Sequence, residues 1–332
     1  MKKYLQSGFS VVELMVAMAL SLVLMAGVLS IFASSKLTYL NNEKTSRVQE
    51  SGRMALDLIM RDIRSAGYSG CAKAVPFNST LNNSATLLWD YSRPMQGFEF
   101  TGPGTWAPAL DTTVIPAAQA PQDGSDAILL RVSQREGVAL VMPTALASAT
   151  ANPQIAGANP APVAGQIMLI TDCNASTVFQ VSGYATPNVS HATGAVPIPG
   201  NSTTDLGYVF QGGARLIPMQ TVVYYVRGNA LWRRVGSNVP EQLIDGVQAL
   251  QIVYGEDTNS DRIVDNYVAA NAVGNWSNIV SVSVSLLVQS DAIGNDIDTG
   301  TYNVLGTVVG PFNDRRLRML FTSTAALRNV AI

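Results

Sequence analysis

One acidic side chain, Glu13, lies inside the longest apolar stretch of this chain, residues 9–32. A helix rises about 1.5 Å per residue, so this stretch would extend about 36 Å, which is enough to cross a bilayer with some tilt. A carboxylate in hydrocarbon costs roughly 2.5 to 3.5 kcal/mol on insertion scales. Glu13 therefore needs either a partner or a function.

The residues before this stretch indicate its orientation. Lys2 and Lys3 precede it and no acidic residue does, so the positive-inside tendency keeps the N-terminus cytoplasmic and sends the rest of the chain across the membrane. An ordinary cleaved signal peptide is an alternative, although no convincing small-residue cleavage site follows the apolar run. A plain single-pass anchor is a second alternative, and it leaves Glu13 unexplained.

Composition favours an extracytoplasmic, β-rich body after the apolar stretch. Charged residues make up 13% of the chain, hydrophobic residues 47%, and the formal net charge is −2. Such a balance does not suggest a nucleic-acid-binding body, and no direct nucleic-acid binding is expected. Cys71 and Cys173 are an even pair in a chain routed to an oxidising compartment. That setting favours one disulfide over a metal or redox site, with two unpaired buried thiols as the alternative.

Residues 37–66 show the pattern of an amphipathic helix. They contain no proline, and apolar or small residues recur at intervals of three and four. We expect one helix from about residue 9 to residue 66, with Gly67 as a plausible stop and Gly27 as a weak point. The apolar or small positions of the stripe are Val48, Gly52, Ala55, Ile59 and Ile63.

After Cys71 the pattern changes to short β-rich runs separated by Gly, Pro and Asn. The clearest hairpin pairs 221–227 with 230–235 around Gly228-Asn229, which is a strong two-residue turn signal. Two long loops, 143–165 and 185–207, separate other runs, and loops of that length usually have a function or are mobile. The other predicted strands are 126–132, 138–142, 166–171, 178–182, 208–210, 247–254, 279–288 and 316–323.

Catalytic signals are weak, and we predict that the chain is not an enzyme. The chain has one histidine, His191, in a loop where a solvated side chain is expected. Nucleophile elbows, HExxH, Walker loops and dinucleotide fingerprints are missing from the sequence. Arg315, Arg316 and Arg318 are interpreted as the solvated charges of an edge strand, where charge discourages edge-to-edge pairing, with an acidic partner or DNA as the alternative.

An acidic loop follows the strand predicted at 247–254 and is a candidate calcium site. Oxygen ligands fall at alternate positions, as in calcium-binding loops of the DxNxDxxxD type. Arg262 stands where such loops have glycine, and Val268 stands where they have a bidentate glutamate. The alternative is a solvated acidic turn. The candidate ligands are the side chains of Asp257, Asn259, Asp261 and Asp265 and the carbonyl group of Ile263.

The leader MKKYLQSG followed by FSVVELMVAMAL resembles the class III signal of type IV pilins and type II secretion pseudopilins. In that superfamily a prepilin peptidase cuts after the glycine, which is Gly8 here, and methylates the new N-terminal residue, which is Phe9 here. Glu13 then occupies the fifth mature position, where the superfamily has its glutamate. The resemblance implies that Glu13 pairs with the α-amino group of Phe9 in an adjacent subunit when the apolar helices bundle in a filament.

Three further segments resemble the PilW group of minor pilins, which are relatives of the J-type pseudopilins: SGRMALDLIMRDIRSAGYSGC, MLITDCNASTVFQV and LIDGVQALQIVYG. The resemblance implies an α+β, type IV pilin-like fold, in which a long N-terminal helix packs on a large antiparallel β-rich domain. It also implies a disulfide between Cys71 and Cys173. We divide the chain into a prepilin leader (1–8), a transmembrane and filament-core helix (9–36), its amphipathic continuation (37–70) and the extracytoplasmic globular domain (71–332).

The same resemblance implies a function and a set of partners. A minor pilin would prime pilus assembly and lie in the tip complex, supporting twitching motility, adhesion and, indirectly, DNA uptake. Its partners would be the prepilin peptidase, other minor pilins and the major pilin, a PilY-type tip adhesin, the inner-membrane assembly platform and the inner membrane itself. No cofactor is required, and calcium is the one candidate ion.

Two other classes of protein remain open. A J-type pseudopilin of a type II secretion system would carry the same signal and the same helix. A membrane-anchored binding module that uses its long loops independently of any filament would instead keep an intact N-terminus. Before assembly, both pilin-type interpretations place the helix in the inner membrane and the body in the periplasm.

Overall fold

The computed structural model describes residues 8, 10–71, 75–133, 140–155, 160–291 and 297–327. One helix, α1 (Val11–Ser65), continues without a break for 55 residues, or about 80 Å at 1.5 Å per residue. It passes through Gly27. The predicted helix of residues 9–66 is therefore confirmed where it is described, and Phe9 lies outside the described residues.

The rest of the described chain is built from short and long strands, with three brief 3₁₀ turns between them (Ala117–Gln119, Ala270–Ala272 and Trp276–Asn278). The strands are β1 (Phe77–Ser79), β2 (Met95–Gly102), β3 (Thr105–Ala107), β4 (Ala127–Ser133), β5 (Leu140–Val141), β6 (Ile167–Thr171), β7 (Ser176–Gln180), β8 (Gly183–Ala185), β9 (Asn188–Ser190), β10 (Arg215–Arg227), β11 (Ala230–Val235), β12 (Glu241–Asp245), β13 (Val247–Glu256), β14 (Asn266–Val268), β15 (Ile279–Gln289), β16 (Tyr302–Val304), β17 (Thr307–Val309) and β18 (Arg318–Ala326).

Two sheets form the body. The larger has ten strands around the long β10, with β1, β7, β6, β10, β4, β2 and β3 in lateral order and β5, β11 and β12 attached beside them. The smaller has the order β14, β13, β15, β18, and the pairs β8–β9 and β16–β17 form separate hairpins. All strand pairs are antiparallel except β1–β7. The predicted architecture of a long helix on an antiparallel β-rich domain is confirmed.

The main hydrophobic core lies between the C-terminal half of α1 and both sheets. The predicted helix stripe is buried, with Ala55, Ile59 and Ile63 fully excluded from solvent. These side chains pack with residues of β4, β10, β13 and β15 in one cluster. The amphipathic pattern of residues 37–66 therefore marked the surface of the helix that faces the body.

Gly52 allows α1 to approach β18 closely. A Cβ atom at this position would come within 2.3 Å of the Phe321 ring. A glycine inside a helix normally costs about 0.5 to 1 kcal/mol relative to alanine. Here the missing side chain leaves the space that the aromatic ring occupies.

We expect Gly52→Ala to lower the free energy of unfolding by about 1 to 3 kcal/mol, because overpacking at Phe321 exceeds the gain in helix propensity. Urea titration of the detergent-solubilised chain would measure the change. In a Phe321→Leu background the same glycine substitution should cost markedly less, since the smaller side chain can move aside. Equal costs in the two backgrounds would contradict this account of Gly52.

Asp126 joins the two sheets at a buried position. Its carboxylate accepts hydrogen bonds from the Phe100 amide (3.0 Å) on β2 and from the Ile252 amide (2.9 Å) on β13. Its own amide donates to the Leu250 carbonyl at 2.8 Å. Burial, together with the charge of nearby Glu99, raises the pKa of Asp126 to about 8.

This raised pKa predicts a pH dependence of stability. Between about pH 4 and pH 8 unfolded Asp126 loses its proton while folded Asp126 keeps it, so stability falls as pH rises, by up to about 1.4 kcal/mol per pH unit. The stability of the wild type should therefore fall relative to that of Asp126→Asn as pH rises through this window. The difference between their unfolding free energies should change by up to the same amount per pH unit. The two proteins would be compared by urea titration at several pH values, which cancels the contributions of other groups. Parallel pH profiles would rule out a protonated Asp126.

Several strand predictions need correction. Residues 208–210 form no strand; Phe210 is buried in a side cluster and its carbonyl accepts a hydrogen bond from the Leu146 amide (2.9 Å) in a loop. The strand predicted at 178–182 is β7, which begins two residues earlier, and the strand predicted at 316–323 is β18, which begins two residues later. Part of the strand predicted at 138–142 lies outside the described residues. The sequence analysis did not predict the eight-residue strand β2. It also did not predict the short strands β1, β3, β8, β9, β12, β14, β16 and β17.

Two further interpretations are wrong at His191 and at Arg318, because these side chains are buried, whereas Arg315 is exposed as expected. His191 is only 1% exposed, and its Nε2 donates to the Thr204 carbonyl at 3.0 Å. Arg318 is 6% exposed and forms ion pairs with Asp298 (3.0 Å) and Asp314 (2.6 Å). β18 does lie at the edge of its sheet, as expected. Its arginine, Arg318, is however buried, and the two aspartates neutralise its charge.

Candidate assembly site on the N-terminal helix

The N-terminal half of α1 has no contact surface within the body. Among the described residues, one helix is long and apolar enough to cross a membrane, and its apolar window is entirely unburied. Large apolar side chains such as Val11, Leu24 and Phe32 are 76%, 71% and 69% exposed. An apolar surface of this extent requires an environment of lipid or of other apolar helices.

Glu13 lies in the first turn of α1 and is exposed. None of the ion pairs found within the described part of the chain involves it. A carboxylate in the first turn interacts favourably with the helix dipole, by about 0.3 to 1 kcal/mol at an exposed position. Gly8 is described and exposed, whereas Phe9, the predicted site of methylation, lies outside the described residues. The geometry therefore leaves the Glu13 carboxylate accessible to a group from outside this chain.

Two contacts at the other end of α1 fix the helix to the body. The Tyr224 hydroxyl donates a 2.7 Å hydrogen bond to the Asp62 carboxylate, and both side chains are buried. Burial and the adjacent Asp62 charge raise the pKa of Tyr224, so its hydroxyl remains a donor at neutral pH. Directly after the helix, Ala66 pairs with Val132 of β4. The exposed apolar half thus projects from the domain in a defined direction.

The predicted disulfide between Cys71 and Cys173 is present, with the Cα atoms 5.4 Å apart. Cys71 follows the C-terminal end of α1, and Cys173 follows β6. The bond closes a segment of 102 residues. It therefore holds the chain that leaves the helix against the turn between β6 and β7 of the larger sheet.

The acidic loop is closed by hydrogen bonds to its own backbone, and calcium binding there is not supported. Asp257 is buried, and its carboxylate accepts hydrogen bonds from the backbone amides of Ser260 (2.7 Å) and Arg262 (2.8 Å), among others. Asp265 accepts from the amide and hydroxyl of Thr258, and Asp261 accepts from the Ile263 amide. Within the described ranges, no group of three or more His, Cys, Asp or Glu side chains could hold a metal ion.

The acidic side chains of this loop are balanced by its own backbone. The loop's own N–H groups supply the positive partial charge that a calcium ion would otherwise provide. Asn259 likewise accepts from the Asp261 amide at 2.9 Å. The alternating oxygen side chains therefore accept hydrogen bonds from backbone amides and stabilise a series of turns. Calcium binding is not supported.

Sequence reasoning missed three buried polar residues that organise the body: Asp62, Asp126 and Arg131. Each is 8% exposed or less. Arg131 had a visible signal, because it is the one charged residue in the apolar strand AILLRVS. The other two lie among residues of mixed character, where no local pattern marks a buried acid.

Two family profiles match parts of the chain. Residues 3–29 match the prokaryotic N-terminal methylation motif, which contains Gly8, Phe9 and Glu13. Residues 221–329 match PilW, the type IV pilus-assembly protein W family. This second match begins within β10, includes the β10–β11 turn and the acidic loop, and contains all four strands of the smaller sheet.

No curated protein sequence matches the chain significantly. Among solved structures, a type IV-like pilin from Thermus thermophilus is similar, with 13% identity and a TM-score of 0.34 over 86% of this chain and 98% of that one.

Proposed function

We propose that this chain, a type IV pilin-like protein with a PilW domain, is a minor pilin that primes type IV pilus assembly and forms part of the pilus tip. The observation that carries the proposal is the combination of an exposed apolar N-terminal half of α1 with an accessible Glu13 in its first turn. A membrane accounts for the apolar surface but not for the carboxylate. A filament of bundled helices accounts for both.

Cleavage after Gly8 would create the partner that Glu13 lacks. The new α-amino group on Phe9 is a cation, and in a filament the amino group of one subunit meets the carboxylate of the next. Each group alone is costly in an apolar environment, whereas together they form a charge-assisted hydrogen bond. The pair therefore favours the assembled state and sets the register between neighbouring helices.

The size of the globular domain supports a position at the tip. About 260 residues follow Cys71, and a body of that size would crowd a helically packed shaft. A tip subunit has free space on one side. We therefore place this protein in low copy number beside other minor pilins, the first copies of the major pilin and a PilY-type adhesin. Twitching motility, adhesion and DNA uptake would depend on it through pilus formation.

Before assembly, the helix would anchor the protein in the inner membrane with the body in the periplasm, where the prepilin peptidase and the assembly platform act on it. Mass spectrometry of the membrane-purified protein tests this order of events. We expect a chain that begins at N-methylated Phe9. A chain that still carries Lys2 and Lys3 would instead support a membrane-anchored binding module.

A J-type pseudopilin of a type II secretion system is the second candidate, because the PilW group and the J-type pseudopilins are related and share the N-terminal signal. Deletion of the protein separates the two functions. We expect the deletion strain to lose surface pili and to export its secreted enzymes normally. Normal piliation with lost secretion would favour the pseudopilin.

A further inference from the structure

A cavity of about 180 Å³ lies on the side of the larger sheet away from α1, under the segment that joins β1 to β2. The end of the helix closes one side of it with Gly67 and Tyr68, and strands β4, β6, β7 and β10 form its floor. No part of the assembly site on α1 contributes to it. For comparison, an engineered cavity of about 150 Å³ holds a benzene molecule.

Arg131 contributes a buried charge to this cavity. Its side chain is on β4 and the residue is only 1% exposed. Nη2 donates to the Leu87 carbonyl. Nε and Nη1 are buried and have no hydrogen-bond partner within the described residues. Leaving charged donors buried and unsatisfied costs more than leaving neutral ones, so this arrangement is expensive unless a ligand completes it.

The guanidinium stays charged in this position. Burial lowers the pKa of Arg131 to about 10, which is still far above neutral pH. The nearby carboxylate of Asp90 is already engaged, because it accepts from Arg93 Nε at 2.9 Å and from the Ser92 amide at 3.0 Å. Two arginines, Arg93 and Arg131, therefore line the cavity, Asp90 is the acid near them, and the excess charge is positive.

The other walls are apolar or carry neutral hydroxyl groups. Phe77, Leu169, Val178 and Met219 line one part of the cavity. Burial raises the pKa of Tyr91 to about 12, so this wall residue carries no negative charge at neutral pH. The charged guanidinium, whose Nε and Nη1 atoms lack partners among the described residues, attracts a carboxylate, and the apolar walls fit a short hydrocarbon group attached to that carboxylate.

We propose that the Arg131 cavity binds a carboxylate that carries a short apolar group. Two sources share this chemistry. One is a free small organic acid, and the other is the C-terminal carboxylate of a peptide with an apolar last residue, a mode of capture that proteins use for partner chain ends. The inference extends beyond pilus assembly and does not depend on it.

The first test compares N-acetyl-leucine with N-acetyl-leucinamide by isothermal titration calorimetry on the detergent-solubilised full chain. The two probes have the same shape and differ in the carboxylate. We expect the acid to bind at least tenfold more tightly than the amide. Equal affinity of acid and amide, or no heat from either, would overturn the proposal without any mutant being made.

Substitution of the arginine provides the second test. Arg131→Met keeps an unbranched apolar stem and removes the charge, so we expect loss of acid binding. Without ligand its melting temperature should be equal to or above that of wild type, because a buried uncompensated charge is gone. Arg215→Met, on an exposed residue of β10, is the matched control and should bind like wild type. Unchanged binding in Arg131→Met, or a large fall in its melting temperature, would indicate a structural arginine instead.

The two sources are separated by a third comparison. Isovalerate and the tripeptide Ala-Ala-Leu carry the same carboxylate and similar apolar groups. Tighter binding of the tripeptide, with loss of affinity on amidation of its C-terminus, would identify a peptide end as the ligand. Equal or tighter binding of isovalerate would identify a free organic acid.

Discussion

Glu13→Ala is expected to leave this protein in the membrane and to exclude it from filaments. The substitution removes a charge from the apolar helix, so insertion becomes easier. In the proposed filament it leaves the α-amino group of an adjacent Phe9 without its carboxylate. Removing one partner of a buried pair typically costs about 3 to 5 kcal/mol. That corresponds to roughly a 100- to 4000-fold loss in incorporation, since about 1.4 kcal/mol equals a factor of ten.

A tagged copy expressed beside an untagged wild-type copy allows this measurement, because pili still form. The readout is the amount of tagged protein in sheared pili divided by the amount in the membrane fraction. Glu13→Gln preserves the shape and removes the charge, and it should fail like the alanine variant. Val12→Ala, on the preceding residue of the same exposed helix, should behave like wild type. Incorporation of Glu13→Gln at the wild-type level would show that the charge has no part in assembly.

The second large effect concerns the disulfide. Replacing Cys71 and Cys173 by serine is expected to lower the free energy of unfolding by about 4 to 5 kcal/mol, because the bond closes 102 residues and a loop of that size restricts the unfolded chain strongly. Urea titration of wild type and the double variant would measure the loss. Reduction of wild type with dithiothreitol should produce a similar change.

The circular dichroism of the double variant is the control for this prediction. Since α1 is also held by the Asp62–Tyr224 hydrogen bond, the double variant should keep its native circular dichroism at low denaturant. Its loss of stability should appear as an earlier unfolding midpoint. A stability equal to that of wild type would mean that the chain between Cys71 and Cys173 remains equally restricted without the bond.

Much of the architecture was predictable because its signals are local. The apolar run and the three-and-four spacing of Val48, Gly52 and Ala55 specify a helix and the side that it buries. The β-branched runs around Gly228-Asn229 specify a hairpin, and the structure has it in the expected register. In such cases the residues that determine the conformation lie within a few positions of each other.

The acidic loop shows how a local pattern can mislead. Its oxygen side chains have the spacing of metal ligands, but Asp257 turns inward and accepts hydrogen bonds from the backbone that follows it. Whether those oxygens converge on an ion depends on the backbone dihedrals of the loop. Spacing alone does not determine them.

Other features depended on partners far along the chain. Arg318 is in the sequence beside two other arginines, yet it is buried against Asp298 and Gln248, up to 70 residues away. The short strands have the same origin, since residues 77–79 pair with β7 about 100 residues later. Neither composition nor hydrophobic periodicity identifies such a segment, because its extended conformation depends on the strand with which it pairs.

The helix, its apolar exposed half with Glu13, and the β-rich class of the body could all be derived from the amino-acid sequence. Each follows from side-chain periodicity and from the cost of placing apolar or charged groups in the wrong solvent. By contrast, the role of Asp126 in joining the sheets and the buried donors of Arg131, which are unpaired among the described residues and lie beside a cavity, became evident only in the folded structure. Burial and hydrogen bonding of these groups are set by contacts between residues distant in sequence, and those contacts exist only once the chain has folded.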